Sequence, residues 1–455
     1  MVSAISKLAA AAAVLNTVNA VPLAGRSSGK FGDNHTPLEA PTPEAEYFVS
    51  YGPRPYYLIN NMTESPLKQK LQSCENGPFE ITAFSIAHRG GADLQIPEET
   101  VQSSVAGARM GAGINECDVA FTSDLKLVCR HDQCDLHTTT DIMNRPELRE
   151  KCTTPFTPAN ETADASALCC TSDITLDEFL GLCSKMDGFN ASATTPEDFT
   201  DGGIQPWRTT LYDTCGTVMT LESYIDLTNS FPGYRNFTPE LKTPPAAVSM
   251  PFNGYTQAQF ARDMVDTFTN KGISPYRVFP QSFLPDDVYL WIEEYPDSFG
   301  PQAVYLDEEG DDPADFPAAV ARLPELKARG VNIIAPPINY LFIATGEDNQ
   351  TIAPSSYALT AKQAGLDIVA WTAERSGPLT DVRSSEDYYF STFADAVHTD
   401  GQFYELIDML AQEVGIVGLF SDWSSSVSYY GSCMGLKGTY GEKYHSAEWK
   451  GQNKA

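Results

Sequence analysis

The chain has 455 residues, of which 42% are hydrophobic and 11% aromatic, which is enough to bury a large core. It carries 60 acidic and 30 basic residues, so its net charge is −30 and its pI is near 4.4. A surface this acidic repels nucleic-acid phosphates and anionic membranes, which disfavours both as partners. After residue 20, no stretch reaches the roughly 18 apolar residues of a membrane helix, so we expect no stable membrane insertion.

The first 20 residues predict a secretory signal peptide. Lys7 precedes an apolar run that ends at Leu15, and small residues lead to Ala20, after which we expect cleavage. Ten cysteines are an even number and predict disulfides formed in an oxidising compartment, with the pairing left open. Six Asn-X-Ser/Thr sequons agree with a secreted, extracellular glycoprotein, at Asn34, Asn61, Asn160, Asn190, Asn236 and Asn349.

Three further segments follow the signal peptide. Residues 21–80 begin with many Pro, Ser and Gly residues and predict an N-terminal extension or linker that wraps the surface. Residues 81–435 are predicted to form the main domain. Residues 436–455 predict a polar C-terminal tail.

Eight short apolar runs alternate with helical patterns from residue 81 onward, which is typical of βα repeats in a parallel sheet. Polar residues gather at the carboxyl ends of several runs, where a barrel places its active site. The fold class is therefore predicted as α/β, a (β/α)8 TIM barrel, with a doubly wound open sheet as the alternative. The runs cover residues 84–87, 114–119, 236–241, 276–281, 303–308, 331–336, 366–372 and 416–422.

Two stretches break this alternation. Residues 125–132 follow the second run too closely for a crossover helix, so we expect a hairpin arm across the barrel mouth. Residues 133–215 hold six cysteines and little helical period beyond 172–182. They predict a disulfide-braced insertion on the catalytic face that is too irregular to fold alone.

Three acidic residues predict a metal site. Glu116 and Asp118 are two residues apart on a predicted strand, so their side chains share one face and Cys117 points to the other. Glu240, at the end of the third run, adds another oxygen donor. Carboxylate ligands suit a hard divalent cation, Ca²⁺ or Mg²⁺, whereas zinc would favour histidine or thiolate.

Two of the six histidines, His88 and His131, end apolar runs beside these carboxylates. Histidine is suited to acid–base catalysis near neutral pH, so both are predicted to be catalytic. Arg89 and Lys242 lie next to the same groups and would bind a phosphate anion, Arg through its planar fork and Lys as a point charge. Beside a metal and two histidines, this basic pair indicates phosphoryl transfer.

The ordered series HRGGADLQIPEET, GAGINECDVAFTSDLKLVCRHD, TLDEF, TLESY, PELK, PQSF, AWT and FSD resembles the glycerophosphodiester phosphodiesterase family, in its secreted and periplasmic branch. The resemblance spans about residues 84–422 and implies a barrel of the phosphatidylinositol-specific phospholipase C type. It implies a catalytic role for His88 and His131, metal ligation by Glu116, Asp118 and Glu240, phosphate binding by Arg89 and Lys242, an aromatic wall at Trp371 and bracing of Arg89 by Glu98.

The implied reaction is metal-dependent hydrolysis of a small-molecule glycerophosphodiester, such as glycerophosphocholine, to glycerol 3-phosphate and an alcohol. One histidine would take a proton from the neighbouring hydroxyl and the other would protonate the leaving alkoxide, through a cyclic phosphate.

The chain departs from the family pattern at two positions. Glu99 stands where the family usually has Asn, and Leu125 where it usually has Gly. Asn236 lies four residues before Glu240, so a glycan there would have to point away from the mouth.

Two other functions stay open at this point. A phospholipase D-like lyase acting on sphingomyelin or lysophospholipids would share the histidines and carboxylates, although Lys242 within PELK favours the phosphodiesterase. The apolar residues of the insertion, among them Phe189, Trp207, Leu211 and Tyr212, would then face a lipid. A non-catalytic secreted barrel is the third reading, and the intact set of residues argues against it.

Overall fold

The computed structural model describes residues 49–213 and 215–446. The predicted signal peptide, the Asn34 sequon and residues 447–455 of the predicted tail lie outside these ranges. Within them, no helix combines the length and the apolar character needed to cross a bilayer.

Eight parallel strands close into a barrel. The strands of this sheet are β1 (Thr82–Ala87), β2 (Ala112–Phe121), β3 (Leu127–Cys129), β4 (Asn236–Leu241), β5 (Gln281–Ser282), β6 (Val304–Leu306), β7 (Ile333–Ala335), β8 (Asp367–Ala373) and β9 (Gly418–Ser421). All except β3 belong to the barrel, and β1 pairs with both β2 and β9, which closes the ring. The predicted (β/α)8 barrel is confirmed. The fourth predicted run is strand only at its end, where β5 begins at Gln281.

One longer helix follows each barrel strand along the chain. Four of these helices begin where a hydroxyl side chain accepts a backbone N–H three residues on, at Thr100, Thr220, Thr256 and Ser355. The eight helices are Val101–Arg109, Leu221–Ser230, Gln257–Asn270, Pro285–Glu294, Phe316–Ala328, Ser356–Ala364, Gln402–Met409 and Ser424–Met434.

The remaining elements are short. The short α-helices are Arg54–Asn61, Pro66–Gln72, Leu136–Thr139, Pro146–Arg149, Leu176–Leu180, Pro196–Thr200, Ile338–Leu341 and Glu442–His445. Three antiparallel ladders pair Thr154–Thr157 with Ser166–Leu168, Cys183–Ser184 with Gly216–Thr217, and Phe342–Thr345 with Thr351–Pro354.

The predicted hairpin arm is present. β3 runs antiparallel to β2, with Val119 opposite Cys129. As the period of two predicts, Cys117 points away from the barrel interior. It forms a disulfide with Cys129. Leu125 takes a left-handed φ of +59° in the turn, where the family pattern has glycine. A left-handed conformation costs a non-glycine residue about 1–2 kcal/mol, so Leu125 in this turn lowers the stability of the fold relative to glycine.

The insertion 133–215 is braced by three disulfides, Cys134–Cys170, Cys152–Cys169 and Cys183–Cys215. Its own apolar cluster includes Leu136, Phe179 and Phe199, and it continues into Ala120 and Val128 of the β2–β3 hairpin. The insertion therefore shares its apolar cluster with the β2–β3 hairpin, through which it packs on the barrel. Its predicted helix is shorter than expected and covers Leu176–Leu180, with the hydroxyl of Thr175 as the N-cap.

Both predicted flanking segments are more ordered than expected. The described part of the extension is helical, with Arg54–Asn61 and Pro66–Gln72 packed on the helix Ser424–Met434. The tail is not a solvated peptide up to residue 446, because Tyr444 is buried against the apolar interior of the barrel. Its hydroxyl bonds to Thr439 and donates to Asp367.

The structure separates the described sequons by exposure. Asn61, Asn160 and Asn349 are exposed, and Asn190 is half-buried. Asn236 is the first residue of β4 and is fully buried, with 0% of its surface exposed. A glycan on Asn236 would have to occupy the packed core, so this burial argues against glycosylation at Asn236.

We expect the disulfide Cys74–Cys433, which ties the N-terminal helices to the helix after β9, to contribute strongly to stability. It spans 359 residues, whereas Cys152–Cys169 spans 17, and loop-closure entropy grows with span. Replacing both cysteines of the long bridge by serine should lower the free energy of unfolding by about 2–5 kcal/mol. Urea unfolding of this variant and of the matched Cys152→Ser/Cys169→Ser variant measures both effects, and an equal or larger loss in the latter would contradict the expectation.

Candidate active site

The predicted site residues meet at the carboxyl ends of the barrel strands. His88 directly follows β1, and Glu116 and Asp118 lie in β2. Glu240 lies in β4, directly opposite Asp118 in the ladder. All four residues are buried. Parallel strands bring residues that are far apart in the chain to one rim, which explains the cluster.

The three acidic residues form a compact group. Carboxylate oxygens of Glu116, Asp118 and Glu240 lie within 4.8 Å of one another. Glu116 accepts hydrogen bonds of 2.7 Å from the backbone N–H of Arg89 and from the side-chain amide of Gln281. Both carboxylate oxygens of Asp118 are buried and accept no hydrogen bond from the described residues.

These carboxylates fit a divalent cation. Burial and the neighbouring carboxylates raise the pKa of Glu116 well above its usual range. Burial also raises the pKa of Glu240 to about 8, although Lys242 opposes the shift. Three buried carboxylates repel one another, and a hard cation among them would remove that cost. It would also bind the Asp118 oxygens, which accept no hydrogen bond from the described residues.

His88 is oriented by an aspartate. Its Nδ1 lies 2.6 Å from Oδ1 of Asp422, and its Nε2 lies 4.0 Å from Oε2 of Glu116. With its Nδ1 proton donated to Asp422, the ring presents an unprotonated Nε2 to the carboxylate cluster. Burial lowers the pKa of His88, while Asp422 raises it in part.

His131 ends the hairpin arm over the same rim. The backbone N–H of Arg130 donates to the carbonyl of Asp118 at 2.8 Å, which holds the arm against β2. Burial lowers the pKa of His131 well below its usual range, and the cations of Arg89 and Lys242 lower it further. Arg89 and Arg375 act on both histidines, and each of these charges lowers the pKa of both rings.

The two predicted phosphate-binding cations sit among the carboxylates. Nη1 of Arg89 lies 3.0 Å from Oε2 of Glu98, so Glu98 is placed to brace it. The ammonium of Lys242 lies 2.5 Å from Glu240 and 3.7 Å from Asp118.

The backbone after β1 is tightly packed. Arg89 has a left-handed φ of +50°. Gly91, two residues later, could not carry a side chain, because a Cβ there would lie 2.2 Å from the Ser424 hydroxyl.

Comparison with known proteins decides the family. The model of the glycerophosphoryl diester phosphodiesterase family matches residues 88–422, which is most of the chain. The chain belongs to this family. The predicted resemblance and the predicted enzyme class, a phosphoric diester hydrolase, are thereby confirmed.

Two curated proteins are similar to this member of the glycerophosphoryl diester phosphodiesterase family. One, named "Extracellular protein", from Arthroderma benhamiae, is 42% identical over 253 residues, covering 55% of this chain and 100% of that protein. The other is glycerophosphodiester phosphodiesterase GDPD6 of Arabidopsis thaliana, 24% identical over 268 residues, covering 58% of this chain and 61% of that protein.

Solved structures of the family are also similar. A Silicibacter pomeroyi protein assigned as a glycerophosphoryl diester phosphodiesterase has a TM-score of 0.49 and 18% identity, covering 81% of this chain and 99% of that one. An Oleispira antarctica phosphodiesterase in complex with the product sn-glycerol-3-phosphate has a TM-score of 0.40 and 16% identity, covering 76% and 95%.

Sequence reasoning missed one aspartate of the candidate site. Asp422 directly follows β9 and accepts from Nη1 of Arg375 at 2.8 Å and from Nη2 of Arg208 at 3.0 Å, as well as facing His88. Burial alone would raise the pKa of Asp422, yet Arg375, His88 and Arg208 together lower it below its usual range. Asp422 ends an apolar run as His88 does, so the rule that singled out His88 could have found it.

The departure at Glu99 places another acidic group beside the cluster of Glu116, Asp118 and Glu240. Its Oε1 accepts the backbone N–H of Asp118 at 3.2 Å, and its other oxygen is buried without a hydrogen-bond partner among the described residues. Burial, with the charges of Asp118 and Glu116, raises the pKa of Glu99 well above its usual range.

Trp371 lies in β8 at the rim, within an aromatic group. Its indole N–H donates to the carbonyl of Ala335 at 2.7 Å, which fixes the ring. The rings of Phe283, Tyr388 and Tyr389 lie 5.9, 6.0 and 6.0 Å from it between centroids. The side chains of Trp371, Phe283 and Tyr389 are half-buried and that of Tyr388 is exposed, so part of this group faces the solvent at the mouth.

Proposed function

We propose that this protein is a secreted, metal-dependent phosphodiesterase that hydrolyses glycerophosphodiesters to glycerol 3-phosphate and an alcohol. The observation that carries the proposal is the oriented pair His88–Asp422 beside three converging carboxylates. An oriented imidazole supplies acid–base chemistry, and a carboxylate cluster suits a cation that neutralises phosphate. Arg89 and Lys242 on the same rim supply further positive charge for the phosphate.

Glu116, Asp118 and Glu240 would hold the cation, Ca²⁺ or Mg²⁺. When bound, it supplies positive charge that stabilises the phosphate in the transition state. Arg89, braced by Glu98, donates to the phosphate oxygens, and Lys242 adds a point charge. These groups are already positioned by burial and hydrogen bonds, which is the arrangement that electrostatic stabilisation requires.

Two proton transfers complete the reaction. His88 Nε2 takes the proton of the glycerol hydroxyl next to the phosphate ester, and that oxygen attacks phosphorus. His131 protonates the oxygen of the departing alcohol, so a cyclic phosphate forms. Water then opens the ring as the two histidines exchange roles, giving glycerol 3-phosphate. Asp422 supports both steps because it fixes the His88 ring and stabilises its protonated form.

A quaternary ammonium head group fits the aromatic end of the cleft. Cations bind the faces of Trp and Tyr rings. Trp371 is half-buried and Tyr388 is exposed, and their rings lie 6.0 Å apart between centroids. Asp311 accepts a hydrogen bond of 2.7 Å from the Tyr388 hydroxyl and adds negative charge there. The cationic residues lie instead around the phosphate position, so the charges of the cleft complement those of glycerophosphocholine.

We expect Trp371→Leu to weaken the use of glycerophosphocholine selectively. A cation–π contact is worth about 1–2 kcal/mol, so KM for this substrate should rise about 5- to 30-fold. KM for uncharged glycerophosphoglycerol should change less than about twofold. Steady-state kinetics on both substrates measure the two changes in KM.

The matched control is Tyr234→Leu. It removes an aromatic ring that is 46% exposed and lies before β4, at the opposite end of the barrel. Equal losses on both substrates would contradict a head-group role.

The function is tested with a panel of glycerophosphodiesters, with and without a chelator, followed by phosphorus NMR. Metal-dependent release of glycerol 3-phosphate supports the proposal. A cyclic phosphate as the final product from lysophospholipid would favour the lyase, and no turnover with any divalent metal would favour the non-catalytic barrel.

Secretion is supported by two observations. All ten cysteines are paired in disulfides, which is typical of an oxidising compartment. The Arthroderma benhamiae relative is named "Extracellular protein". Expression of the full chain in a eukaryotic host, with N-terminal sequencing of the protein in the medium, tests export and the cleavage predicted after Ala20.

A further inference from the structure

The end of the insertion reaches the rim of the active site. Cys183–Cys215 closes a loop with a sequence separation of 32 residues. Within it, the backbone N–H of Thr209 donates to the carbonyl of Leu94 at 3.1 Å, in the segment after β1. Trp207 packs on Gly377, after β8, so closely that a Cβ at Gly377 would lie 2.5 Å from the indole ring. The loop is therefore attached to two sides of the barrel mouth.

Arg208, between these two attachments, points inward. Its side chain is only 5% exposed, and its Nη2 donates to Oδ2 of Asp422 at 3.0 Å. Oδ1 of the same carboxylate faces Nδ1 of His88 at 2.6 Å. The guanidinium of the insertion and the imidazole of the barrel are thus joined through one aspartate.

Two arginines hold the far oxygen of Asp422. Arg375 reaches Oδ2 from the barrel at 2.8 Å, and Arg208 reaches it from the insertion. Two donors on one oxygen restrain rotation of the carboxylate, which keeps the other oxygen directed at His88. Nε of Arg208 is buried and has no hydrogen-bond partner among the described residues, so the contact with Asp422 is its described polar anchor.

We propose that Arg208 is a positioning residue of the active site, contributed by the insertion to fix Asp422 and, through it, the His88 ring. The inference rests on the proposed function for its kinetic consequence, but the positioning itself is a property of the folded protein. The insertion is then part of the catalytic apparatus, and the disulfide Cys183–Cys215 keeps its arginine in place.

The test compares Arg208→Ala and Arg208→Lys with Arg149→Ala. Arg149 is an insertion arginine whose ion-pair partner, Glu197, is exposed, so its loss should leave turnover unchanged within about twofold. Arg208→Ala should lower kcat about 10- to 100-fold with KM for glycerophosphocholine nearly unchanged, because ring orientation affects the chemical step. Arg208→Lys should retain more activity, and added guanidinium ion should restore part of the kcat of Arg208→Ala.

A second measurement is independent of turnover. In wild type, proton NMR should show a downfield, slowly exchanging Nδ1–H signal from His88, assigned by its loss in His88→Ala. Arg208→Ala and the double variant Cys183→Ser/Cys215→Ser should broaden or remove it, whereas Arg149→Ala should not. If wild type hydrolyses no glycerophosphodiester, the proposed function fails, and this signal still decides the positioning role.

Three results would overturn the inference. The first is an unchanged kcat and an unchanged His88 signal in folded Arg208→Ala. The second is a raised KM with normal kcat, which would make Arg208 a substrate contact instead. The third is a loss of melting temperature alone, with normal kcat per folded molecule and no rescue by guanidinium, which would make it merely structural.

Discussion

Alanine at His88 or His131 should lower kcat at least about a hundredfold, since general acid–base catalysis contributes that much or more. Each histidine has one proton transfer to perform in each of the two steps. The other described histidines contact residues elsewhere: His137 accepts from Cys169, His398 pairs with Gln350, and His445 packs on Tyr276. The double variant should lose little more than either single variant, because residues that act as one unit are not additive. Initial-rate assays on glycerophosphocholine measure all three.

A matched histidine gives the control. His398 is exposed and its Nε2 pairs with the side-chain amide oxygen of Gln350 at 2.9 Å, away from the rim. His398→Ala should keep kcat within about twofold of wild type, as surface substitutions usually do. Near-normal rates in both His88→Ala and His131→Ala would refute the proposed acid–base pair.

Asp118→Asn should abolish both metal binding and turnover. Removing the cation takes away several kcal/mol of transition-state stabilisation, so turnover should fall by more than about a hundredfold, and a chelator should do the same to wild type. Binding is measured separately by thermal unfolding. Ca²⁺ or Mg²⁺ at 100 times its Kd should stabilise wild type by about 2.7 kcal/mol and leave Asp118→Asn unchanged.

The control residue is Asp312, which belongs to a second acidic group on the loop after β6. Asp312 is exposed and lines a cleft with Glu308, Asp315 and Arg322. Asp312→Asn should leave the metal-induced shift and the turnover unchanged. If wild type shows no shift with either metal, or if Asp312→Asn removes it, the assignment of the cation to the Glu116–Asp118–Glu240 cluster is refuted.

These experiments also bear on the insertion. It shares its apolar core with the β2–β3 hairpin that presents His131, and it sends Arg208 to Asp422. Changes in its disulfides should therefore affect turnover as well as stability. In a barrel enzyme, loops at the carboxyl end differ between relatives and carry the specificity, which makes this insertion the place to look for substrate choice.

Local patterns were enough to predict most of the barrel and half of the site. Alternating apolar runs and helices follow from periods of two and 3.6, which each segment carries in its own sequence. The spacing of Glu116 and Asp118 placed both on one face of β2 and Cys117 on the other, because side chains alternate along any strand. The same reasoning put His88 at the end of β1.

The rest depended on contacts between distant segments. Asp422, the partner of His88, lies 334 residues away in the chain. Arg208 belongs to a loop without periodicity. No local pattern could therefore predict that these two residues lie near His88. The disulfide pairs, the helices at Arg54–Asn61 and Pro66–Gln72, and the burial of Tyr444 were likewise not predicted. Each is set by which surfaces meet when the barrel closes. The sequence by itself thus determined the strands, their faces and the residue types of the site, whereas the tertiary structure decided which of those groups are neighbours.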